Sequence, residues 1–403
     1  MSASGLIGQI ADVGRDPGRG GWSRHVATPA ESELRDWFAE QAARRGLDVE
    51  HDRNGNTWAW WGAPGPDAVV TGSHLDSVPG GGAFDGPLGV ASALACVDTL
   101  SARGFRPARP LAVVVFAEEE GGRFGVPCLG SRLLTGSLDA DHARGLRDAD
   151  GVSLAEALAA RGDDPAALGA DPQRLARVGR FVELHVEQGR ALQVPVGIGS
   201  TIVAHGRWRL RFTGQGNHAG TTAVPDRRDP MIPAAETVLA ARRAVSQEGG
   251  AAPSADAGPR ATVGRLVPRP GGTNVIASTV DLWLDVRTFD GDPEPIVETV
   301  LAAAREAAKA EGCTVESTTE SLSGAVALDA ALASRMAAVV PGAPPLPTAA
   351  GHDAGVLAAH VPSGMLHVRN PTGVSHAPGE HAEDDDVEAG VRALTDVLEE
   401  LAR

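Results

Sequence analysis

The sequence predicts an α/β fold in which a larger domain, with a mostly parallel central sheet flanked by helices, is interrupted by a smaller α+β domain. Three observations carry that expectation. Residues 68–73 (AVVTGS) and 111–117 (LAVVVFA) are short, continuously apolar runs, as strands buried on both faces require. Between them, residues 90–100 are rich in Ala and Leu at helical spacing, so strand, helix and strand follow in the order of a right-handed crossover. Near His205 the pattern changes. Residues 207–213 (RWRLRFT) alternate polar and apolar, the mark of a strand with one face in water.

The remaining elements follow in order. Residues 181–186 form another strand candidate. Residues 154–176, rich in Ala and Gly, read as helices and turns with a solvated charged face. After 207–213 comes a helix at 230–247, then a Gly/Pro/Ala-rich loop at 249–259. Alternating strands at 260–267 and 279–287, a helix at 293–311 and a strand at 314–319 complete the insert. The chain then returns to helix, strand (365–368) and a closing amphipathic helix (385–402). The expected boundaries are 1–205 and 323–403 for the larger domain and 206–322 for the insert.

Composition excludes several functions. A chain of 403 residues, 42% hydrophobic, is long enough for two domains and too apolar for global disorder. No stretch approaches the roughly 20 apolar residues of a membrane span, and residues 1–12 lack the pattern of a secretory signal. A soluble, cytoplasmic protein with no membrane partner is expected. Acidic residues exceed basic ones by 52 to 36, a net charge of −16. No nucleic-acid partner is therefore expected, because phosphate neutralisation needs clustered cations. Lys309 is the single lysine and lies in a helical Ala/Glu-rich stretch, which removes a P-loop and argues against a Schiff base. Tyrosine is absent. Cys96, Cys128 and Cys313 are isolated, as buried and inert thiols of a reducing compartment would be.

The densest chemical signal begins at Val69: VVTGSHLDSVPGGGAFDGPLGV. An apolar strand delivers His74 and Asp76 at its carboxyl end, where open α/β sheets place their ligand crevice. Asp85 follows in AFDGPLG, ahead of a helix. A lone histidine after a strand is more often a hydrogen-bonded loop residue, but His, Asp and Asp crowded around glycines favour a divalent metal. Asp76 fits the task of fixing the tautomer of His74. The next strand ends in Glu118-Glu119-Glu120, whose mutual repulsion a cation relieves; one carboxylate can ligate while a neighbour acts as general base. A third strand supplies His185, and the turn-rich GVSHAPGE segment supplies His376. His74, Asp85, Glu120, His185 and His376 suffice for two metals sharing one carboxylate. No cysteine joins them, so a structural zinc site is not expected. Nucleophile-elbow, H-E-x-x-H and complete G-x-G-x-x-G patterns are missing.

At these residues the chain resembles the M20-type metal amidohydrolases of the carbamoylase branch, which includes N-carbamoyl-L-amino acid hydrolase, allantoate amidohydrolase and β-ureidopropionase. HLDSV, GGAFDGPLGV, EEEGGRFG, ELHVEQG, NHAGTT, GHDA and GVSHAPGE occur in the same order. The resemblance implies that the larger domain is catalytic and that the insert is a lid through which a homodimer forms. It implies two divalent ions (zinc or manganese, with cobalt as a third choice). His74 and His185 would hold one, Glu120 and His376 the other, with Asp85 bridging. Glu119 resembles the general base, and His218 of NHAGTT a donor to the oxyanion in the partner's site. Asn274 and Arg287 resemble a clamp for the substrate carboxylate, and Gln188 and His352 also resemble substrate-side positions. His185 separates this branch from M20 peptidases, which usually place a carboxylate there. Three departures stand out: Glu118 for the usual aspartate, Ala223 where many relatives have proline, and Gly379 within the Pro-x-Glu that follows His376.

A small-molecule ureido acid is thus the expected substrate. Allantoate is favoured over N-carbamoyl-L-amino acids because VRNPTGVSH is closer to allantoate enzymes. An M20 aminopeptidase or aminoacylase is the alternative, and a non-catalytic binding protein the third reading. The last would lack a ligand or the base, and none is lacking.

Overall fold

The computed structural model describes residues 1–247 and 258–403, and the loop expected at 249–259 lies almost wholly outside them. Two compact units result, Met1–Ile202 with Ala327–Arg403, and Val203–Val326.

The larger unit is built on one mixed sheet. In spatial order its strands run Asp48–His51, Thr57–Trp61, Leu111–Phe116, Ala68–His74, Val178–Val186, Ser363–Val368 and Val196–Ile202, with Pro345–Thr348 alongside the last. The four central strands are mutually parallel, whereas Asp48–His51, Thr57–Trp61 and Val196–Ile202 join antiparallel. Burial on both faces explains the continuous apolar runs. Leu111, Val113 and Val115 join one core with the helices Ala3–Gln9, Pro87–Ala102 and Asp384–Ala402. Ala112, Val114 and Phe116 point the other way, into a second core with Trp58, Trp60, Phe181, Leu134 and Leu357. Trp58 and Trp60 stack there with ring centroids 6.1 Å apart, and the Trp58 indole N–H donates to Asp52 at 3.1 Å. Residues 154–176 comprise the helix Leu154–Arg161, a turn of 3-10 helix and the short helix Pro172–Leu175. This segment is not only a solvated face, because Leu154, Ala157, Leu158 and Leu168 are buried in a cluster of their own.

The smaller unit is a four-stranded antiparallel sheet in the order Thr314–Ser323, Ala204–Thr213, Thr279–Thr288, Arg260–Arg269. Its apolar face, including Leu210, Phe212, Leu282 and Val286, packs against the helices Met231–Gln247 and Glu294–Ala310. The polar face carries cross-strand ion pairs. Arg211 bonds Asp281 through two nitrogens at 2.8 and 2.9 Å, and Arg207 lies 3.2 Å from Asp285. This is the alternation seen at 207–213 in the sequence.

Gly72 shows how tightly the central strands approach. Its φ is 152°, a region that side chains rarely adopt, and an added Cβ would collide with the carbonyl of Val114 on the next strand. Gly72→Ala should therefore destabilise the larger unit by at least about 2 kcal/mol through overpacking and backbone strain. Urea unfolding followed by tryptophan fluorescence checks this, and an unchanged midpoint contradicts it.

Candidate metal centre

The four parallel strands bring the motif residues to one edge of the sheet. Ala68–His74 ends on His74, Leu111–Phe116 runs into Glu118–Glu120, Val178–Val186 carries His185, and the loop after Ser363–Val368 carries His376. His74 and His185 are buried. The Nδ1 of His74 lies 3.1 Å from the Asp76 carbonyl, and that of His185 lies 2.8 Å from the Val186 carbonyl. Each Nδ1 thus serves as donor and Nε2 faces inward. Burial disfavours the charged rings, but the surrounding carboxylates outweigh it, raising His74 well above its ordinary range and His185 to about 9. Each Nε2 would therefore ligate once a cation displaces its proton. Both Nε2 atoms are buried without a hydrogen bond among the described residues.

Asp85 stands between them and the third histidine. Its Oδ1 is 3.4 Å from His74 Nε2 and 3.2 Å from His185 Nε2, and its Oδ2 is 3.5 Å from His376 Nε2. Glu120 Oε2 is 3.3 Å from the same His376 nitrogen. Two triads follow, His74–Asp85–His185 and Asp85–Glu120–His376, each with its ligand atoms within 4.8 Å of one another. This imidazole and carboxylate donor set fits divalent transition ions, and the orphaned Nε2 atoms and the buried, unbonded Oε1 of Glu120 point the same way.

The Glu118–Glu120 segment is held from two sides. Asp76 accepts the Glu119 N–H through Oδ1 at 3.1 Å and the Glu120 N–H through Oδ2 at 3.0 Å. The carbonyls of Ala117, Glu118 and Glu119 accept the N–H groups of Gly130, Leu129 and Cys128 at 2.9, 3.0 and 2.7 Å. The reading of Asp76 as the residue that fixes the His74 tautomer needs correction in one respect. Its carbonyl is the nearer partner of the ring, and its carboxylate, 3.5 Å away, mainly grips the acidic segment.

The three glutamates then diverge. Glu118 adopts φ 53° and turns its carboxylate to the N–H groups of Arg123 and Phe124, at 3.0 and 3.2 Å. Burial, with Asp76 nearby, pushes its pKa up to about 7. Glu119 points one oxygen towards His74 Nε2, at 3.7 Å, and accepts the Cys128 thiol on the other at 3.4 Å. Burial raises Glu119 and Glu120 well above the ordinary carboxylate range, and neighbouring carboxylates, Asp353 for Glu119 and Asp85 for Glu120, add to this. Asp85 behaves oppositely: burial would raise it, but the His185 and His74 imidazoles hold it well below. Such crowding of buried negative charge is what bound cations relieve.

Gln188 lies inside this centre, with Nε2 2.6 Å from Asp85 Oδ2 and 3.2 Å from His376 Nε2. His352 is buried with its ring centroid 4.6 Å from that of His185, and burial keeps it well below its ordinary pKa, reinforced by His185. Three residues have surroundings that the sequence did not reveal. Cys128 is buried, as expected, yet bonds Glu119. His367, the strand partner of His185, is buried with neither ring nitrogen hydrogen-bonded among the described residues. Glu380 bonds the backbone of Asp85 at 2.9 Å. His367 and Glu380 meet their neighbours from distant segments, and Cys128 reaches Glu119 only through the turn between them.

His218, Asn274 and Arg287 belong to the smaller unit. Asn217–His218 pairs with Val275–Ile276, and the Ala219 N–H reaches the Asn274 carbonyl at 3.0 Å, so His218 and Asn274 share one corner. The Nδ1 of His218 accepts the N–H groups of Gly220 and Thr221 at 3.0 and 3.2 Å. In the neutral ring this puts the proton on Nε2, making that nitrogen a donor. Arg287 lies on Thr279–Thr288, where its Nε donates to Asp285 at 2.8 Å.

Comparison with known proteins agrees with this geometry. Peptidase family M20/M25/M40 matches residues 70–400. The N-carbamoyl-L-amino acid amidohydrolase of Geobacillus stearothermophilus is 36% identical over 406 residues, covering 98% of this chain and 97% of that protein. The allantoate amidohydrolase of Bacillus subtilis is 31% identical over 416 residues, covering 91% of each. The crystal structure of an amidase of the hydantoinase/carbamoylase family from Burkholderia vietnamiensis superposes with a TM-score of 0.86 at 28% identity, over 99% of this chain and 96% of that one. With a family match across most of its length and a relative this similar from end to end, the chain belongs to the M20/M25/M40 peptidase family and is an amidohydrolase of its carbamoylase branch.

Proposed function

We propose that this amidohydrolase cleaves the terminal carbamoyl C–N bond of a ureido acid with one water, freeing the amine and releasing ammonia and carbon dioxide. The observation that carries the reading is Asp85, whose two oxygens face different triads with Glu119 beside them. The names of the relatives, N-carbamoyl-L-amino acid and allantoate amidohydrolase, support the substrate class. Allantoate is the first substrate to try, on the VRNPTGVSH segment, and N-carbamoyl-L-amino acids come next.

Each residue then has a task. His74, His185 and Asp85 would hold one divalent ion, and Asp85, Glu120 and His376 a second. When bound, such a pair (zinc, manganese or cobalt) polarises a carbonyl and acidifies water. Glu119 takes the proton of the attacking water and passes it to the leaving nitrogen. Asp76 keeps Glu119 and Glu120 in place through their N–H groups. Gln188 and His352 would line the substrate side. In the homodimer, His218 would offer its Nε2–H to the oxyanion in the partner's site. Asn274 and Arg287 would clamp the substrate carboxylate, for which a guanidinium is suited. The smaller unit supports a homodimer, because Ile232 and Leu239 on Met231–Gln247 are 50% and 53% exposed.

Three outcomes are expected. After metal loading, ammonia release should occur with at least one of allantoate, N-carbamoyl-L-amino acids and β-ureidopropionate. Turnover confined to dipeptides or N-acetyl amino acids would replace the reading with an aminopeptidase or aminoacylase. Glu119→Gln should keep its metal, by elemental analysis, while kcat falls roughly 100- to 10,000-fold, the usual worth of a general base. An undiminished rate would remove Glu119 from that role. Leu239→Glu should shift the mass in solution, by light scattering, from dimer to monomer; a wild-type monomer would reject the dimer.

A further inference from the structure

Glu380 follows His376 by four residues, is 5% exposed and takes no part in the scheme above. Its Oε1 accepts the N–H groups of both Phe84 and Asp85, each at 2.9 Å. Its Oε2 is buried and makes no hydrogen bond among the described residues. A Cβ on Gly82 would overlap the Glu380 carboxylate, so glycine at that position is what admits this close approach. The Glu380 N–H donates to the Ala377 carbonyl at 3.1 Å, closing a turn immediately after His376. One side chain therefore ties the loop that carries His376 to the loop that carries Asp85.

The constraint falls on Asp85 because that carboxylate faces two ways. Its Oδ1 lies 3.4 and 3.2 Å from the Nε2 atoms of His74 and His185, and its Oδ2 lies 3.5 Å from that of His376. A small rotation of the backbone at Asp85 would withdraw both oxygens at once. Ser375 and Gln188 touch only Oδ2, at 3.4 and 2.6 Å, and leave the backbone unconstrained. The Glu380 bond acts on the main chain itself.

We propose that Glu380 is a positioning residue for the metal centre, its Oε1 locking the main chain at Phe84 and Asp85 so that the Asp85 carboxylate serves both triads. The inference rests on the two-ion reading of Asp85, so metal affinity is measured beside turnover.

Zinc or manganese is titrated into the metal-stripped full-length protein in competition with a chromophoric chelator, for wild type, Glu380→Ala, Glu380→Gln and Gly82→Ala. Loss of a group that orients a metal ligand lowers affinity about 10- to 100-fold, and that loss is expected for Glu380→Ala, with kcat falling more than KM changes. Glu380→Gln keeps a carbonyl acceptor for the two N–H groups and should bind close to wild type. Gly82→Ala retains the carboxylate but pushes it out of the loop, and should reproduce the loss. The thermal midpoint of each metal-free protein reports folding separately; if Glu380→Ala does not fold, the other two variants decide.

Unchanged affinity in Glu380→Ala or Gly82→Ala overturns the proposal, as does a full loss in Glu380→Gln, which would make charge rather than the acceptor the operative property. If the wild type turns over no ureido acid yet Glu380→Ala still binds metal weakly, the substrate assignment fails and the positioning role stands. Turnover by wild type with unaltered affinity in the variants gives the reverse.

Discussion

Two consecutive peptide N–H groups, those of Glu119 and Glu120, end on the two oxygens of Asp76, and the arrangement of the acidic edge depends on that pairing. Both oxygens of a buried carboxylate are thereby satisfied by backbone, and the next strand's outlet is fixed relative to His74. From the other side, the first N–H groups at the helix Leu129–Thr135 meet the carbonyls of Ala117, Glu118 and Glu119. With main chain bonded above and below, the glutamate side chains are sorted by backbone geometry. Glu118 is turned away to cap Arg123 and Phe124, while Glu119 and Glu120 are left facing imidazoles.

Burial sets the electrostatic terms of this edge. Asp76, Asp85, Glu118 and Glu119 are at most 6% exposed, and charged carboxylates so placed are unfavourable unless cations or hydrogen bonds answer them. Asp76 and Glu118 are answered by N–H donors. Asp85 is answered by imidazoles. Glu119 and Glu120 are answered least, and they are the two that the reaction chemistry would employ. The two carboxyls most disfavoured as anions thus stand where a bound cation would stabilise the charged form.

Much of this was legible in the sequence, for reasons that can be located. His74 and Glu118–Glu120 lie at the end of or just after continuously apolar runs, and His185 lies between apolar neighbours in a third strand; these strands are parallel and end at one edge. The α/β class and the open-faced sheet of the smaller unit follow from the same contrast between continuous and alternating runs. What stayed hidden depends on long-range partners. Thr57–Trp61 is an aromatic-rich run with no alternation to reveal an antiparallel strand beside Leu111–Phe116. Cys128 had the composition of an inert thiol, and only the return of its chain beside Glu119 gives it a bond there. Asp76 was read as a partner for the His74 ring alone, because the peptide groups it grips come from another strand. The Glu380 contact joins positions 295 apart, which no local pattern encodes.

The stacked indoles of Trp58 and Trp60 have an optical consequence. With no tyrosine in the chain and seven tryptophans, its near-ultraviolet signal is dominated by indole. Two rings with centroids 6.1 Å apart and planes 12° from parallel stand close enough for their indole transitions to couple, so the spectrum responds to any change in their separation. Asn56, two residues before Trp58, bonds both the Ala117 N–H and the Gly130 carbonyl. The protein therefore carries its own spectroscopic gauge beside the acidic edge, readable without a dye or an engineered label.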